Sequence, residues 1–169
     1  MTQNEFLNLV MPFKDKVYRL AKRLLVSTEE AEDATQEVLL KLWKNKGNIE
    51  SYKNVEAFSM TMTKNFCFDK LKSKQAQNLK IVHSNYEENS TPLQKQVEFN
   101  DSVGWVERII QTLPEQQRTI VQLRDVEEYD LDEIAKMMDM NNTAVRVALS
   151  RARKTIRERL TNTHNYGIK

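Results

Sequence analysis

Glycine, proline and cysteine are scarce in this chain of 169 residues, which has three glycines, three prolines and one cysteine. Beta-hairpins and sandwiches need turn residues at most of their connections, so this shortage disfavours both and favours helices. The single cysteine, Cys67, can form no disulfide within the chain and has no CxxC partner for a metal. Because it lies in an apolar stretch with helical spacing, we expect a buried structural thiol.

Long apolar runs and a strong net charge are also missing. No segment approaches membrane-spanning length, and the chain does not open with a basic, apolar and cleavage-site pattern. These features predict a soluble cytoplasmic protein that does not insert into a membrane. The formal net charge of +2 neither favours nor excludes nucleic-acid binding, because the distribution of charge matters more than its sum.

Apolar residues recur at intervals of three and four in two separate blocks, a pattern typical of amphipathic helices. Between the blocks the chain is rich in Gln, Asn, Ser and Glu and has little periodicity, which indicates a linker. The sequence therefore predicts an all-α protein with a helical domain at 1–73, a flexible linker at 74–100 and a second helical domain at 101–169.

Residues 131–149 fit a helix-turn-helix in the second domain. Asp130 and Glu133 have the spacing of a capping box for its first helix, and Ala135 supplies the small residue needed where the two helices cross. Asp139 occupies the turn, where glycine is common; aspartate tolerates a left-handed backbone better than most residues. The corner can be packed by four apolar side chains, Ile134, Met138, Met140 and Val145.

Charge is polarised across this motif. Residues 125–139 hold seven acidic side chains and one lysine, whereas residues 140–160 hold six basic side chains and one glutamate. Charge alone favours an ordinary solvated helix face. Together with the capping box, the small crossing residue and the packed corner, it favours a second helix that docks in a DNA groove.

The second domain contains three short motifs. A Leu-Pro is followed by an arginine, a Glu-Ile-Ala lies in the first helix of the helix-turn-helix, and an Arg-Ala-Arg lies late in its second helix. They are Leu113–Pro114, Arg118, Glu133–Ala135 and Arg151–Arg153. In this spacing the segment resembles the promoter-reading C-terminal domain of bacterial RNA polymerase sigma factors. Glu128 departs from the family pattern, since glycine often precedes the motif there.

Two segments of the first domain carry the same resemblance. EEAEDATQEVLLKLWKN resembles the polymerase-binding helix of sigma factors, and VEAFSMTMTKNFCFDKLKSK resembles the helix that captures the opened minus-ten element. Phe58 replaces a frequent tryptophan in the second segment. Because no further domain separates the two halves, the chain resembles the extracytoplasmic-function (ECF) subfamily.

The resemblance implies an initiation factor that binds core RNA polymerase, directs it to promoters and helps to open DNA, with no catalytic residue, metal or cofactor. The implied partners are the clamp coiled coil and flap of core polymerase and promoter DNA, and an anti-sigma factor is a further candidate. The residues implied for core binding are Asp33, Gln36, Glu37, Leu40 and Trp43. Those implied for minus-ten DNA are Lys64, Asn65, Asp69 and Lys70. Those implied for minus-thirty-five DNA are Arg146, Val147, Ser150, Arg151, Arg153 and Lys154.

The residues support these roles physically. Spacings of three and four place Asp33, Gln36 and Glu37 on one helix face. Around the predicted third helix, which carries Phe58, Met62 and Phe66, lysines outnumber acids and form a basic track for a DNA strand. This lysine track comprises Lys41, Lys44, Lys46, Lys53, Lys64, Lys70, Lys72 and Lys74. Three apolar residues beside this track, Phe58, Met62 and Phe66, are interpreted as core and not as stacking platforms. We also hypothesise that the acidic segment 125–133 covers the lysine track when the factor is free.

Two other function classes stay open at this point. A dimeric helix-turn-helix regulator that never binds polymerase would need a dimerisation or ligand domain in the first half, where the chain instead has an acidic helix and a lysine-rich helix. An enzyme such as a nuclease would need a carboxylate cluster, a glycine-rich phosphate loop or a nucleophile–base pair, and the sequence shows none of these patterns.

Overall fold

The computed structural model describes the backbone of residues 1–82 and 102–167 and the side chains of residues 1–77 and 104–162. All regular elements within these residues are helical, which confirms the all-α prediction. The first domain comprises α1 (Gln3–Leu25), α2 (Thr28–Lys44), the single turn α3 (Lys46–Ile49) and α4 (Val55–Val82). The second comprises α5 (Ser102–Gln111), α6 (Glu115–Val121), a π-helical turn (Gln122–Val126), α7 (Leu131–Met138) and α8 (Asn142–Gly167).

The core of the first domain lies between α1, α2 and α4, each of which packs against the other two. α1 begins with a complete capping box between Thr2 and Glu5, and it continues through Pro12 without ending. α2 begins at Ser27, whose side chain accepts a hydrogen bond from the Glu30 amide at 3.3 Å. The buried stripes of the two helices are Phe6, Val10, Phe13, Val17, Leu20 and Leu24 on α1, and Ala31, Ala34, Val38 and Leu42 on α2.

Cys67 lies in the buried face of α4, as predicted, and its side chain has no exposed surface. Burial raises the pKa of its thiol to about 12, and the positive charge of Lys70 opposes that shift. Only the thiolate reacts rapidly with disulfide reagents. At pH 8 we expect Cys67 to resist dithionitrobenzoate in the folded protein and to release about one equivalent of thionitrobenzoate in urea. Equal reaction rates in the two states would contradict this burial.

The helix-turn-helix forms as predicted. Both hydrogen bonds of the capping box are present at the start of α7: the Glu133 amide donates to the Asp130 carboxylate at 2.7 Å, and the Asp130 amide donates to the Glu133 carboxylate at 3.2 Å. Asp139 ends α7 in the left-handed conformation, with φ 54° and ψ 49°. The Met140 amide then donates to the Ala135 carbonyl at 2.9 Å, which closes the turn between α7 and α8.

Two features depart from the expected layout. α4 extends to Val82, so residues 74–82 of the predicted linker are helical, and the rest of that linker up to residue 100 lies outside the described residues. Glu128, at the position where the resemblance leads one to expect glycine, has φ 62°. A left-handed backbone costs a non-glycine residue about 1–2 kcal/mol. The connection before α7 therefore adopts the backbone conformation that favours glycine, although a glutamate occupies the position.

Candidate polymerase and DNA interfaces

The outer face of α2 is polar and acidic, with one exposed leucine. Asp33, Gln36, Glu37 and Leu40 all lie on the exposed side, while Ala31, Ala34, Thr35, Val38 and Leu42 are buried on the opposite side. The exposed fraction of Leu40 is 45%, so its side chain contributes little to the domain's own core. Protein interfaces commonly have an apolar centre and a polar rim. An exposed leucine among carboxylates is therefore suited to docking on a basic partner surface that has an apolar centre.

Trp43 stands at the end of this face and is held by its own domain. Its ring meets Phe6 edge-on, with centroids 5.1 Å apart, and the Lys46 ammonium lies 3.6 Å from its centroid. The tryptophan is therefore half-buried and presents a partial surface beside Leu40.

The outer side of α4 exposes Asn65 and Asp69, and Lys70 is half-buried beside them. The ammonium groups of Lys41 and Lys70 lie 5.4 and 5.8 Å from the centroid of the Phe66 ring. Phe58, Met62 and Phe66 pack against the core, as interpreted from the sequence. The stacking of Phe58 on Tyr52, at 4.5 Å between centroids, was not foreseen.

Lys64 differs from its neighbours on α4 because α7 of the second domain packs on this helix. Its exposed fraction is only 8%. Burial lowers the pKa of its ammonium group, and the negative charge of Asp139, in the turn of the helix-turn-helix, opposes that shift. The structure therefore places the predicted minus-ten residue Lys64 at the contact between the two domains and not on a free surface.

A bidentate ion pair between the domains joins α1 to the connection after the π-helical turn. Arg19 donates two hydrogen bonds to the Glu127 carboxylate, at 2.6 and 2.8 Å, and the Glu127 side chain is 1% exposed. One turn further along α1, Arg23 donates to the side-chain oxygen of Gln122 at 2.9 Å. The hydrogen bonds to Glu127 raise the pKa of Arg19, whereas burial lowers the pKa of Arg23.

A second contact lies around the Tyr129 ring, which is buried. The Lys16 ammonium lies 5.2 Å from the ring centroid and forms an ion pair with Glu56 of α4 at 3.3 Å. Burial, followed by interaction with Glu56, raises the pKa of the Tyr129 hydroxyl well above its usual range. α1, α4 and the segment before α7 therefore meet around one aromatic ring.

α8 separates a buried face from an exposed polar face. Its first turn is capped by Asn141, whose side-chain oxygen accepts a hydrogen bond from the Ala144 amide at 2.7 Å. The buried side chains are Val145, Ala148, Leu149 and Ala152. The six residues predicted to contact minus-thirty-five DNA are all exposed: Arg146, Val147, Ser150, Arg151, Arg153 and Lys154.

The exposed face of α8 has two sides. Arg146, Ser150 and Arg153 border a groove of about 790 Å³ between α5, the π-helical turn and α8. Arg153 is also engaged at the edge of this groove, where its guanidinium donates two hydrogen bonds to the Asp125 carboxylate. Val147, Arg151 and Lys154 do not line the groove, so they project from the outer side of the helix.

Two features are absent from the part of the chain that the structure describes. No helix there is both long and apolar enough to cross a membrane. Nor do the described histidine, cysteine, aspartate and glutamate side chains form a group of three or more that could hold a metal ion.

Two family models match the two helical domains, and curated relatives resemble the chain over most of its length. The model for Sigma-70 region 2 matches residues 9–77, and the model for Sigma-70, region 4 matches residues 104–156. The ECF RNA polymerase sigma factor SigW of Bacillus subtilis is 23% identical over 169 residues, covering 94% of this chain and 90% of SigW. The ECF RNA polymerase sigma factor SigE of Mycolicibacterium smegmatis is 26% identical over 155 residues, covering 90% of this chain and 60% of SigE.

Two solved structures share the fold. The sigma factor RpoE from Bartonella quintana, in complex with the anti-sigma factor NepR, superposes with a TM-score of 0.73 at 18% identity and covers 93% of this chain and 97% of that one. CnrH, in complex with the cytosolic domain of CnrY, superposes with a TM-score of 0.69 at 15% identity and covers 95% of this chain and 90% of that one. Since the two family models together span most of both helical domains, the chain belongs to the sigma-70 family and is an RNA polymerase sigma factor of the ECF type.

Proposed function

We propose that this sigma factor uses the outer face of α2 to bind the clamp coiled coil of core polymerase, α4 to hold the opened minus-ten strand, and α8 to read the minus-thirty-five element. The observation that carries the proposal is the two-sided character of α2 and α8: each buries one stripe and exposes the predicted contact residues on the other side. Transcription initiation places the factor in the cytoplasm together with core polymerase.

We further propose that the described arrangement is a closed form, which must open before the minus-ten strand can bind. Lys64 is covered where α7 packs on α4, so a strand that follows the lysine track would meet the second domain. We hypothesised from the sequence that the acidic segment 125–133 covers the lysine track, but the described contacts of this segment are different. Glu127 of that segment pairs with Arg19 on α1, and the acid beside Lys64 is Asp139.

An anti-sigma factor is a proposed partner as well. The RpoE structure from Bartonella quintana contains one, NepR, and a protein that holds the two domains together would stabilise the closed form by mass action. Core polymerase would act in the opposite direction if its clamp and flap engage the domains separately.

Transcription with core polymerase tests the proposed function directly. Run-off reactions on a library of genomic fragments are expected to give transcripts from discrete start sites only when the chain is added. Gel filtration with and without core polymerase separates this outcome from a dimeric regulator, which would elute as a dimer and leave core polymerase unshifted. No transcript, together with no affinity for core polymerase, would refute the proposal.

Two alanine variants of α8, Arg146→Ala and Lys154→Ala, should separate residues that determine base specificity from residues that contribute only affinity. Arg146 lies one turn into the helix, where a bidentate contact to guanine is worth about 1–3 kcal/mol of discrimination, so Arg146→Ala should relax preference at one minus-thirty-five position. Lys154 lies two turns further on, where the helix passes the phosphate backbone. Lys154→Ala should weaken all sequences equally and reduce the salt slope by about one. Titrations over single-base variants at several salt concentrations check both, and exchanged effects would mean that α8 docks in another rotation.

A further inference from the structure

Val147 is the large apolar side chain that α8 leaves exposed among its described residues, with 42% of its surface accessible. Its exposed neighbours on the helix are all polar: Thr143, Arg146, Ser150 and Arg151. A β-branched residue is a weaker helix former than alanine or the straight-chain residues. Valine at this position therefore contributes little to the core, and its exposed apolar surface is available for contact with a bound partner.

The direction of the side chain is set by the two sides of α8. Val145 and Ala148 flank the pair Arg146–Val147 in the sequence, and both are buried in the second domain. Arg146 and Ser150 border the groove beside α5, and Val147 does not. Val147 thus points away from both the core and the groove, on the same side as Arg151 one turn later.

The position along the helix also matters. α8 begins at Asn142, so Val147 lies in its second turn. In helix-turn-helix proteins the first turns of the second helix approach the base edges in the major groove. If α8 docks as proposed, Val147 faces base edges and not phosphates.

The major groove displays mostly hydrogen-bond donors and acceptors, and its characteristic apolar group is the C5 methyl of thymine. We propose that Val147 is a specificity-determining residue that reads a thymine methyl in the minus-thirty-five element. The inference rests on the proposed role of α8, and it assigns thymine recognition to a side chain that can neither donate nor accept a hydrogen bond. Arg146, beside it, would read guanine, so the pair distinguishes two neighbouring bases by different chemistry.

Thymine-to-uracil substitution tests this inference, because uracil lacks only the C5 methyl. A minus-thirty-five sequence is first selected from a random library with the complex of full-length chain and core polymerase, and each thymine in turn is replaced by deoxyuridine. Burial of one methyl group corresponds to a Kd change of about fourfold. We expect this increase in Kd at one thymine for the wild-type chain. For Val147→Ala we expect a clearly smaller difference between thymine and uracil at that position, because alanine keeps only its Cβ to contact the methyl.

Val126→Ala is the matched control, since Val126 is an exposed valine of the same domain that lies outside α8; it should keep the wild-type sensitivity. The inference is overturned if the selected site contains no required thymine, if no thymine is sensitive to loss of its methyl, or if Val147→Ala keeps the same sensitivity. If the wild-type complex shows no sequence preference at all, the proposed role of α8 fails instead. Because alanine is the better helix former, the variant is expected to fold.

Discussion

A variant in which Asp33 and Glu37 are both replaced by lysine is expected to lose at least a hundredfold in affinity for core RNA polymerase while it keeps its helical content. Both side chains are exposed on the outer face of α2. Charge reversal at an interface places like charges opposite one another, which costs several kcal/mol, and 2.7 kcal/mol already corresponds to a hundredfold change in Kd.

Two properties of α2 make this effect specific to binding. The two substituted carboxylates make no described contact with the domain's core, and lysine is a good helix former. Circular dichroism should therefore be unchanged, and the temperature of unfolding should shift by no more than a few degrees. Binding is measured by fluorescence anisotropy of labelled chain titrated with core polymerase.

The control for this variant is Glu50→Lys with Glu158→Lys. Both of these residues are exposed and lie outside α2, and the double substitution changes the net charge by the same amount. A similar loss of affinity in the control would mean that overall charge, and not the α2 face, governs binding. Undiminished affinity of the Asp33 and Glu37 variant would remove this face from the proposed polymerase interface.

Reversing the charge of Arg19 is expected to open the free factor. In the wild type Arg19 forms a bidentate ion pair with Glu127, whose side chain has almost no contact with solvent. In Arg19→Glu this pair is replaced by two carboxylates that face each other. Loss of one partner from a buried charge pair costs about 3–5 kcal/mol. Because Arg19 is about half exposed, we expect about 1–3 kcal/mol here, a shift of about five- to 150-fold toward the open form.

Two measurements report the opening. The radius of gyration from small-angle scattering should increase, and single-stranded minus-ten DNA should bind the free variant more tightly than it binds the wild type, because Lys64 becomes accessible. In the wild type, raising the salt concentration should also increase the radius of gyration, but more weakly, since a nearly buried pair is screened less than an exposed one.

The double variant Arg19→Glu with Glu127→Arg restores the pair in the reverse orientation and should regain a large part of the closed population. Lys14→Glu, an exposed charge reversal on the same helix, should leave the scattering profile unchanged. If Arg19→Glu scatters like the wild type at every salt concentration, the ion pair does not hold the two domains together.

The helix-turn-helix was predictable because each of its determinants is local. The capping box joins residues three apart, and the left-handed turn depends on Asp139 alone, so neither requires knowledge of a distant partner. The apolar stripes likewise indicate which side of each helix is buried. The extension of α4 to Val82 was missed because lysine, glutamine and asparagine dominate residues 74–80, although lysine, glutamine and alanine sustain a helix by propensity.

The contact between the domains could not be predicted from the same patterns. Arg19 and Glu127 are 108 residues apart, and each is of a residue type that is usually found solvated on a surface. Helical periodicity identifies a buried face but not the element that covers it. Lys64 shows the consequence: its sequence neighbours indicate a basic surface, and only the packing of α7 on α4 removes it from that surface.

Asp139 contributes both to the turn of the helix-turn-helix and to the charge near Lys64. The turn of the helix-turn-helix requires only a left-handed backbone, which glycine or asparagine would also supply, yet the aspartate brings a negative charge to bear on Lys64 of the other domain. One residue therefore sets the backbone of the turn and also adds a charge at the contact between the domains. A change to asparagine there would keep the left-handed turn and remove the negative charge that favours the charged form of Lys64.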